Sequence, residues 1–158
     1  MSSKIINFHN LQEYNLIKGN TVKIPVFRSS VWAGLPTDFP DMGNEPFSGY
    51  VDIPREYVKN PNQTYVHKIK GDSMEPLLKE GDNILVDCSD SAIYSGVLDK
   101  VVLAYIDGGL NVKRLKKIND KLYLVPENSN YPIREITEDS GFKVRGVVLG
   151  VSEFRQIK

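Results

Sequence analysis

The sequence predicts a mostly β domain with short helices and an extended N-terminal arm. Three observations support this: a proline-rich first third, a series of short β-branched and aromatic runs after it, and turn residues between those runs. With 158 residues the chain is long enough for one core and short for two full domains. We therefore divide it into an arm, residues 1–49, and a compact β-rich domain, residues 50–158.

The arm is rich in residues that disfavour helix. It contains four Xaa-Pro pairs: Ile24-Pro25, Leu35-Pro36, Phe39-Pro40 and Glu45-Pro46. Each proline restricts the residue before it to extended backbone. Apolar side chains such as Phe27 and Trp32 distinguish the arm from an ordinary disordered tail. We expect an extended segment with few regular elements that lies across the domain.

After the arm the sequence changes to strand patterns. Asp52 is placed to cap a short helix through Pro54–Val58, which Asn60-Pro61 ends. Asp107-Gly108-Gly109 and Asn119-Asp120 supply residues that accept positive φ, so antiparallel neighbours are predicted on both sides of residues 110–115. The six predicted strands are Tyr65–Ile69, Asn83–Val86, Val101–Ile106, Leu110–Leu115, Lys121–Val125 and Phe142–Val151.

The composition argues against several classes of protein. Lys plus Arg and Asp plus Glu both number 20, so no overall field is predicted to hold the chain on nucleic acid or an anionic membrane. No apolar run approaches the ~18 residues of a spanning helix, and residues 1–20 lack the apolar stretch of a secretory signal. Cys88 is the only cysteine, which excludes an intramolecular disulfide. We expect a cytoplasmic protein without a membrane segment.

One serine is the main candidate for chemistry. The chain has two histidines, His9 and His67, which lie in different regions. They do not exclude a Ser-His-Asp triad but give it little support, and with one cysteine they are too few for a zinc site. No cofactor is indicated. Ser73 lies between a strand end and a proline-started helical turn, which is expected to expose it. The backbone N–H groups of Ser73 and Met74 are then free at a helix N-terminus to meet a developing oxyanion. The alternative is a Gly-Asp turn in which Ser73 only caps the helix.

Three motifs follow one another along the sequence. Ala33-Gly34 lies in an extended apolar segment, Gly71-Asp72-Ser73-Met74-Glu75-Pro76 precedes Gly81-Asp82 and an apolar strand, and Val112-Lys113-Arg114-Leu115 follows a Gly-Gly turn. They resemble the LexA/UmuD family of self-cleaving serine peptidases, the S24 type, over about residues 25–151. The resemblance implies a LexA/signal-peptidase-like β domain. It also implies Ser73 as nucleophile, Lys113 as general base and Ala33-Gly34 as the bond that is cut.

The proposed base must be neutral to take a proton from Ser73. The ordinary pKa of a lysine is about 10.4, so burial must lower it by ~3 units, about 4 kcal/mol of desolvation. Strand alternation puts Lys113 on the same face as Leu115, and the requirement is met if that face is buried. The alternative for Lys113 is an ordinary solvated strand lysine beside Lys116 and Lys117. The alternative for Ala33-Gly34 is an ordinary flexible arm.

The N-terminal segment makes the resemblance to UmuD closer than the resemblance to LexA. Residues 1–24 are short for a helix-turn-helix domain and the chain is not basic, so no sequence-specific DNA binding is expected. The resemblance then implies a homodimer that is cut after Ala33 under a RecA-nucleoprotein filament. Residues 34–158 join a UmuC-like Y-family translesion polymerase in this interpretation.

Three other functions stay open from the sequence. A signal peptidase shares the serine-lysine pattern but needs a membrane anchor. A prophage repressor-type module could keep the β domain for dimerisation and not cleave itself. Cleavage of other chains in trans is equally compatible with the motifs.

Overall fold

The computed structural model describes residues 6–7, 20–32 and 47–152, which form one β-sheet with short helical turns. The single short α-helix of these ranges, α1, spans Asp90–Ile93, and 3-10 turns lie at Arg55–Tyr57, Pro61–Gln63 and Glu138–Ser140. The mostly β fold class is confirmed. The strands are β1 Ile6–Asn7, β2 Thr21–Trp32, β3 Phe47–Pro54, β4 Thr64–Lys70, β5 Asn83–Asp87, β6 Val101–Ile106, β7 Gly109–Ile118, β8 Lys121–Val125, β9 Arg134–Glu135 and β10 Lys143–Ser152.

The strand order in the sheet is β3-β2-β4-β5-β10-β6-β7-β8-β9, with β1 paired to β10. Most neighbours are antiparallel, but β2 runs parallel to β4 and β1 runs parallel to β10. Strand β10 pairs with both β5 and β6, and its register shifts at two places along the strand. The last described strand therefore joins the β2–β5 part of the sheet to the hairpins β6–β8.

The six predicted strands and both predicted hairpins are confirmed. Strands β6 and β7 pair antiparallel across Asp107 and Gly108, which have φ values of 52° and 87°. Strands β7 and β8 pair across Asn119 and Asp120, with φ values of 50° and 65°. Positive φ is tolerated best by Gly, Asn and Asp, which explains why these turns could be recognised in the sequence.

The second half of the predicted arm differs from the expectation of few regular elements. Strand β2 has 12 residues and pairs with both β3 and β4, and the boundary predicted between residues 49 and 50 falls inside β3. The extended backbone that proline imposes on Ile24 is also strand backbone, and the Ile24 side chain is fully buried. Residues 21–27 therefore belong to the packed sheet.

The short helix predicted through Pro54–Val58 is a single 3-10 turn, Arg55–Tyr57, and the prediction that Asp52 caps it is wrong. Asp52 lies in β3, where its carboxylate accepts a hydrogen bond of 3.4 Å from Lys23 Nζ on β2. Pro54 occupies the N-cap position of the 3-10 turn Arg55–Tyr57, and no side chain caps that turn. The sheet pairing with β2 thus competes successfully with the local capping preference of the aspartate.

The described core consists of three apolar clusters. One contains Met74 and Leu78 from the loop after β4, packed with Ile69, Ile84 and Val112 from β4, β5 and β7. The other two lie around the β2–β3 pair and around the β6–β8 hairpins. The first cluster anchors the loop that carries Ser73. No helix among the described residues is long and apolar enough to cross a membrane.

Candidate active site

The Ser73 loop leaves the end of β4 and folds back onto the core. Gly71 takes a φ of 88°, and the loop continues as turns in which Leu78 N–H donates to the Met74 carbonyl over 2.9 Å. The predicted helix is therefore a series of turns. Because the side chains of Met74 and Leu78 are fully buried, they draw the loop inwards, and Ser73 is itself fully buried. The expectation that this geometry exposes Ser73 is wrong.

Lys113 on β7 meets Ser73 inside this buried region. Its Nζ donates a hydrogen bond of 2.8 Å to Ser73 Oγ, although the two residues are 40 positions apart. The same Nζ donates to Asn111 Oδ1 over 2.7 Å and to the Val112 carbonyl over 3.2 Å. The structure thus brings the predicted nucleophile and the predicted base into direct contact.

Burial makes the Lys113 amine easier to deprotonate. The residue is 8% exposed, and loss of solvation lowers the pKa of its amine from 10.5 to about 8. The register places Val102 opposite Lys113, and Leu115 lies on the same face; both are buried in one apolar cluster. With a pKa of about 8, roughly a tenth of the amine is neutral at pH 7 and about half at pH 8.

A turn at residues 128–131 holds the serine loop from the other side. Asn128 N–H donates to the Ser73 carbonyl over 3.0 Å, and Asn128 Nδ2 donates to the Asp72 carbonyl over 3.1 Å. The Tyr131 hydroxyl donates to the Asp72 carboxylate. Sequence reasoning did not assign a site role to Asn128 or Tyr131. The sequence signals for them were a cluster of turn-forming residues after β8 and the resemblance of Asn128-Ser129 and Tyr131-Pro132 to later segments of the family.

The backbone N–H groups of Ser73 and Met74 are the predicted donors to the oxyanion. Neither donates a hydrogen bond to another residue in the part of the chain that the structure describes. Their assignment as an oxyanion hole stays a prediction.

The predicted cleavage site, Ala33-Gly34, lies outside the described residues, as does His9. The strand that leads to it is described. Val31 pairs with Ile69 and Trp32 pairs with Lys70 in the parallel ladder of β2 and β4. The described part of β2 therefore ends one residue before Ala33, beside the residue that lies three positions before Ser73.

The alternative candidates for chemistry occupy different surroundings. His67 is buried, and neither of its ring nitrogens has a hydrogen-bond partner among the described residues, so it does not orient Ser73. Burial raises the pKa of the Cys88 thiol to about 12, which keeps it protonated. Within the described ranges no group of three His, Cys, Asp or Glu residues is arranged to hold a metal ion.

Comparison with known proteins identifies related chains. A family model described as Peptidase S24-like matches residues 25–149. The LexA repressor of Stenotrophomonas maltophilia (strain R551-3) is 34% identical over 133 residues, covering 84% of this chain and 58% of the relative. LexA repressor 2 of Xanthomonas oryzae pv. oryzae is 32% identical over 136 residues, 85% of this chain and 59% of the relative. The chain thus spans about three fifths of the length of these relatives.

Proposed function

Because the chain belongs to the S24 peptidase family, we propose that it is a serine endopeptidase that cuts its own chain with a Ser73–Lys113 dyad. One observation supports this most directly: the buried contact of 2.8 Å between Lys113 Nζ and Ser73 Oγ. A nucleophile within hydrogen-bond reach of a base whose pKa lies near neutrality is the arrangement that serine-lysine chemistry requires.

The proposed reaction begins with the neutral Lys113 amine. It takes the hydroxyl proton of Ser73 while Oγ attacks the carbonyl carbon of Ala33. The carbonyl oxygen becomes an oxyanion and accepts hydrogen bonds from the backbone N–H groups of Ser73 and Met74. The Ala33–Gly34 bond then breaks, and the Lys113 ammonium returns its proton to the Gly34 amine. Water hydrolyses the resulting ester between Ala33 and Ser73.

The course of β2 supports Ala33-Gly34 as the substrate within the same chain. Trp32 pairs with Lys70, and Lys70 is followed after three positions by Ser73. Ala33 follows Trp32 directly in the sequence, so the bond that we propose to be cut is tied to a residue that pairs with β4. A bond tied to the sheet through Trp32 gains the proximity that a weak base-nucleophile pair needs. This tethering supports cleavage within one chain.

We further propose a UmuD-like role in the SOS response for the cleaved chain. In this proposal a cytoplasmic homodimer is cut under a RecA-nucleoprotein filament, and residues 34–158 join a UmuC-like Y-family polymerase. The support is the resemblance of the Ser73, Lys113 and Ala33-Gly34 motifs. A pull-down of the polymerase with fragment 34–158, and with the uncut Ser73→Ala chain, tests the partnership.

A repressor-type module is the second candidate. The relatives reported above are named LexA repressor, which supports a place in a repressor rather than beside a polymerase. In this alternative the β domain serves dimerisation in a prophage-type repressor and does not cleave itself. The cleavage experiment below separates the alternatives, because only the peptidase produces fragments.

The test is intact-mass spectrometry of the purified chain at pH values from about 7 to 10. We expect fragments 1–33 and 34–158 from the wild type and neither from Ser73→Ala or Lys113→Ala. Since a lysine base must be deprotonated, the cleavage rate rises about tenfold per pH unit below the amine pKa of about 8 and levels off above it. A chain that stays whole at every pH, and with RecA, single-stranded DNA and nucleotide, contradicts the peptidase proposal.

Cleavage in trans has its own control. Intact Ser73→Ala chain, mixed with wild type, stays whole if the reaction is intramolecular. Appearance of fragments from the mutant chain, identified by an isotopic label, shows action between molecules instead.

A further inference from the structure

Three oxygen atoms surround the amine of Lys113. They are Asn111 Oδ1 at 2.7 Å, Ser73 Oγ at 2.8 Å and the Val112 carbonyl oxygen at 3.2 Å. The two carbonyl oxygens can only accept hydrogen bonds, whereas the serine hydroxyl can both donate and accept. The three positions are therefore chemically different.

This set of partners suits both protonation states of the amine. An ammonium donates its three N–H groups to the three oxygens. A neutral amine has two N–H groups and one lone pair, so it satisfies both carbonyl oxygens with its N–H groups and keeps the lone pair for the Ser73 hydroxyl proton. The proton can thus move between Oγ and Nζ without rotation of the amine.

The two carbonyl oxygens are held in different ways. The Val112 carbonyl is part of the β7 backbone and is present whatever the side chain. Asn111 supplies its oxygen from a side chain that lies two residues before Lys113, on the same face of β7, and is 8% exposed. Its amide oxygen faces Nζ, since an amide nitrogen there would oppose a donor to the ammonium.

We propose that Asn111 is a positioning residue for the self-cleavage: its side-chain oxygen turns the Lys113 amine so that the lone pair faces Ser73 Oγ. This inference rests on the proposed peptidase function. It also explains why a neutral acceptor suits this position. A carboxylate would hold the amine equally well but would stabilise the ammonium and so remove the base at neutral pH.

Two substitutions separate orientation from charge. Asn111→Asp keeps the shape and the acceptor but adds a negative charge. Asn111→Leu keeps the size and removes the acceptor. Asn119→Asp is the matched control, because it makes the same chemical change at an exposed turn at the far end of β7, where φ of 50° suits Asp.

The first readout does not depend on cleavage. The pKa of the Lys113 amine is measured by ¹³C NMR of lysine-labelled protein in a Ser73→Ala background, which keeps the chain whole. We expect Asn111→Asp to raise that pKa by about 1 to 3 units and Asn119→Asp to leave it unchanged. An unchanged pKa in Asn111→Asp shows that the Asn111 side chain does not contact the amine and overturns the inference.

The second readout is the pH profile of cleavage with Ser73 present. In Asn111→Asp the rising limb of the rate moves to higher pH by the same interval, and the rate recovers in alkaline solution. In Asn111→Leu the rate falls by ~10²-fold at every pH, because the amine is no longer aimed at Ser73. Wild-type rates in a folded Asn111→Leu overturn the positioning role. If the wild type does not cleave but the NMR shift occurs, the peptidase proposal fails and the Asn111–Lys113 coupling stands.

Discussion

Lys113 and His67 are both buried bases, but their neighbours differ completely. Loss of solvation lowers the pKa of Lys113 to about 8 and that of His67 to about 3. The Lys113 nitrogen meets three oxygen atoms, whereas the His67 ring lies on Phe27 with centroids 4.4 Å apart and planes at 22°. Burial favours the neutral form of each side chain, but of the two only Lys113 has its nitrogen within hydrogen-bond distance of the Ser73 hydroxyl.

The aromatic residues around His67 connect neighbouring strands of the sheet. Phe27 lies on β2 and contacts Phe47 of β3 and Tyr65 of β4, with ring centroids 4.8 Å and 5.2 Å apart. His67 is also on β4, so its stacking on Phe27 joins β2 to β4 next to the parallel ladder. That contact holds the strand that leads to the predicted cleavage site, and a neutral imidazole serves there as a flat apolar surface.

The largest effect that follows from this comparison is acid destabilisation through His67. The pKa is 6.5 in the unfolded chain and about 3 in the folded one, so between these values only the unfolded chain binds the proton. The unfolding free energy therefore falls as pH falls from 6.5 to about 3, by up to about 5 kcal/mol. Urea unfolding at steps between pH 7 and 4 measures the loss in a Ser73→Ala background.

His67→Phe is the matched variant, because it keeps an aromatic ring for Phe27 and cannot bind a proton. We expect its unfolding free energy to depend less on pH over the same interval, by the amount that His67 contributes. Equal acid sensitivity in both proteins shows that other groups cause the loss. In that case His67 is not the buried base whose protonation destabilises the fold.

A smaller effect on the unfolding free energy is expected from Lys113 in alkaline solution. Its pKa is lowered from 10.5 to about 8 on folding, so between these values the unfolded chain holds a proton that the folded chain has released. Stability therefore rises with pH through this window, by up to about 3 kcal/mol. Lys113→Met keeps the apolar stem and lacks the charge, so the rise is absent from it when both proteins carry Ser73→Ala. Parallel curves for the two proteins from pH 8 to 10.5 contradict a buried, proton-releasing lysine.

The sequence was most informative where local patterns decide the structure. The strands β4 to β8 and β10 follow from β-branched and aromatic runs, and the hairpins follow from Asp and Gly residues that accept positive φ. Strand β2 was not predicted because its stability depends on pairing with β3 and β4, which are distant in the chain. Pro25 within the strand and the Pro-Gly-rich sequence after it are typical of an irregular arm, so the local pattern predicted one.

The site illustrates the same limit. Ser73 and Lys113 were selected by motif, since nothing local distinguishes Lys113 from Lys116 or Lys117 as a base. Its burial and its approach to Ser73 are tertiary properties. Asn111 and Asn128 were missed for this reason: each reads as an ordinary strand or turn residue until the fold places it beside the dyad. Their chemistry depends on neighbours that sequence spacing does not reveal.

The smallest expected effect concerns the turn at residues 128–131 that holds the serine loop by hydrogen bonds. Asn128→Ala removes the hydrogen bond from Nδ2 to the Asp72 carbonyl and the one that Oδ1 accepts from Asn130 N–H, but keeps the backbone bond to Ser73. We expect a stability loss of about 1 kcal/mol for these two exposed hydrogen bonds together, and cleavage slowed about tenfold.

Urea unfolding and the rate of fragment formation at pH 8 measure these two quantities together. The pH midpoint of cleavage stays unchanged, because Asn128 contacts the backbone of the serine loop and not the Lys113 amine. Tyr131→Phe removes only the hydroxyl bond to the Asp72 carboxylate, so it slows cleavage less than Asn128→Ala does. A shifted midpoint in either variant shows that the loop also sets the protonation of Lys113, and the roles of Asn111 and Asn128 are then not separable. An unchanged midpoint with a slower rate assigns orientation of the nucleophile to the turn and orientation of the base to Asn111.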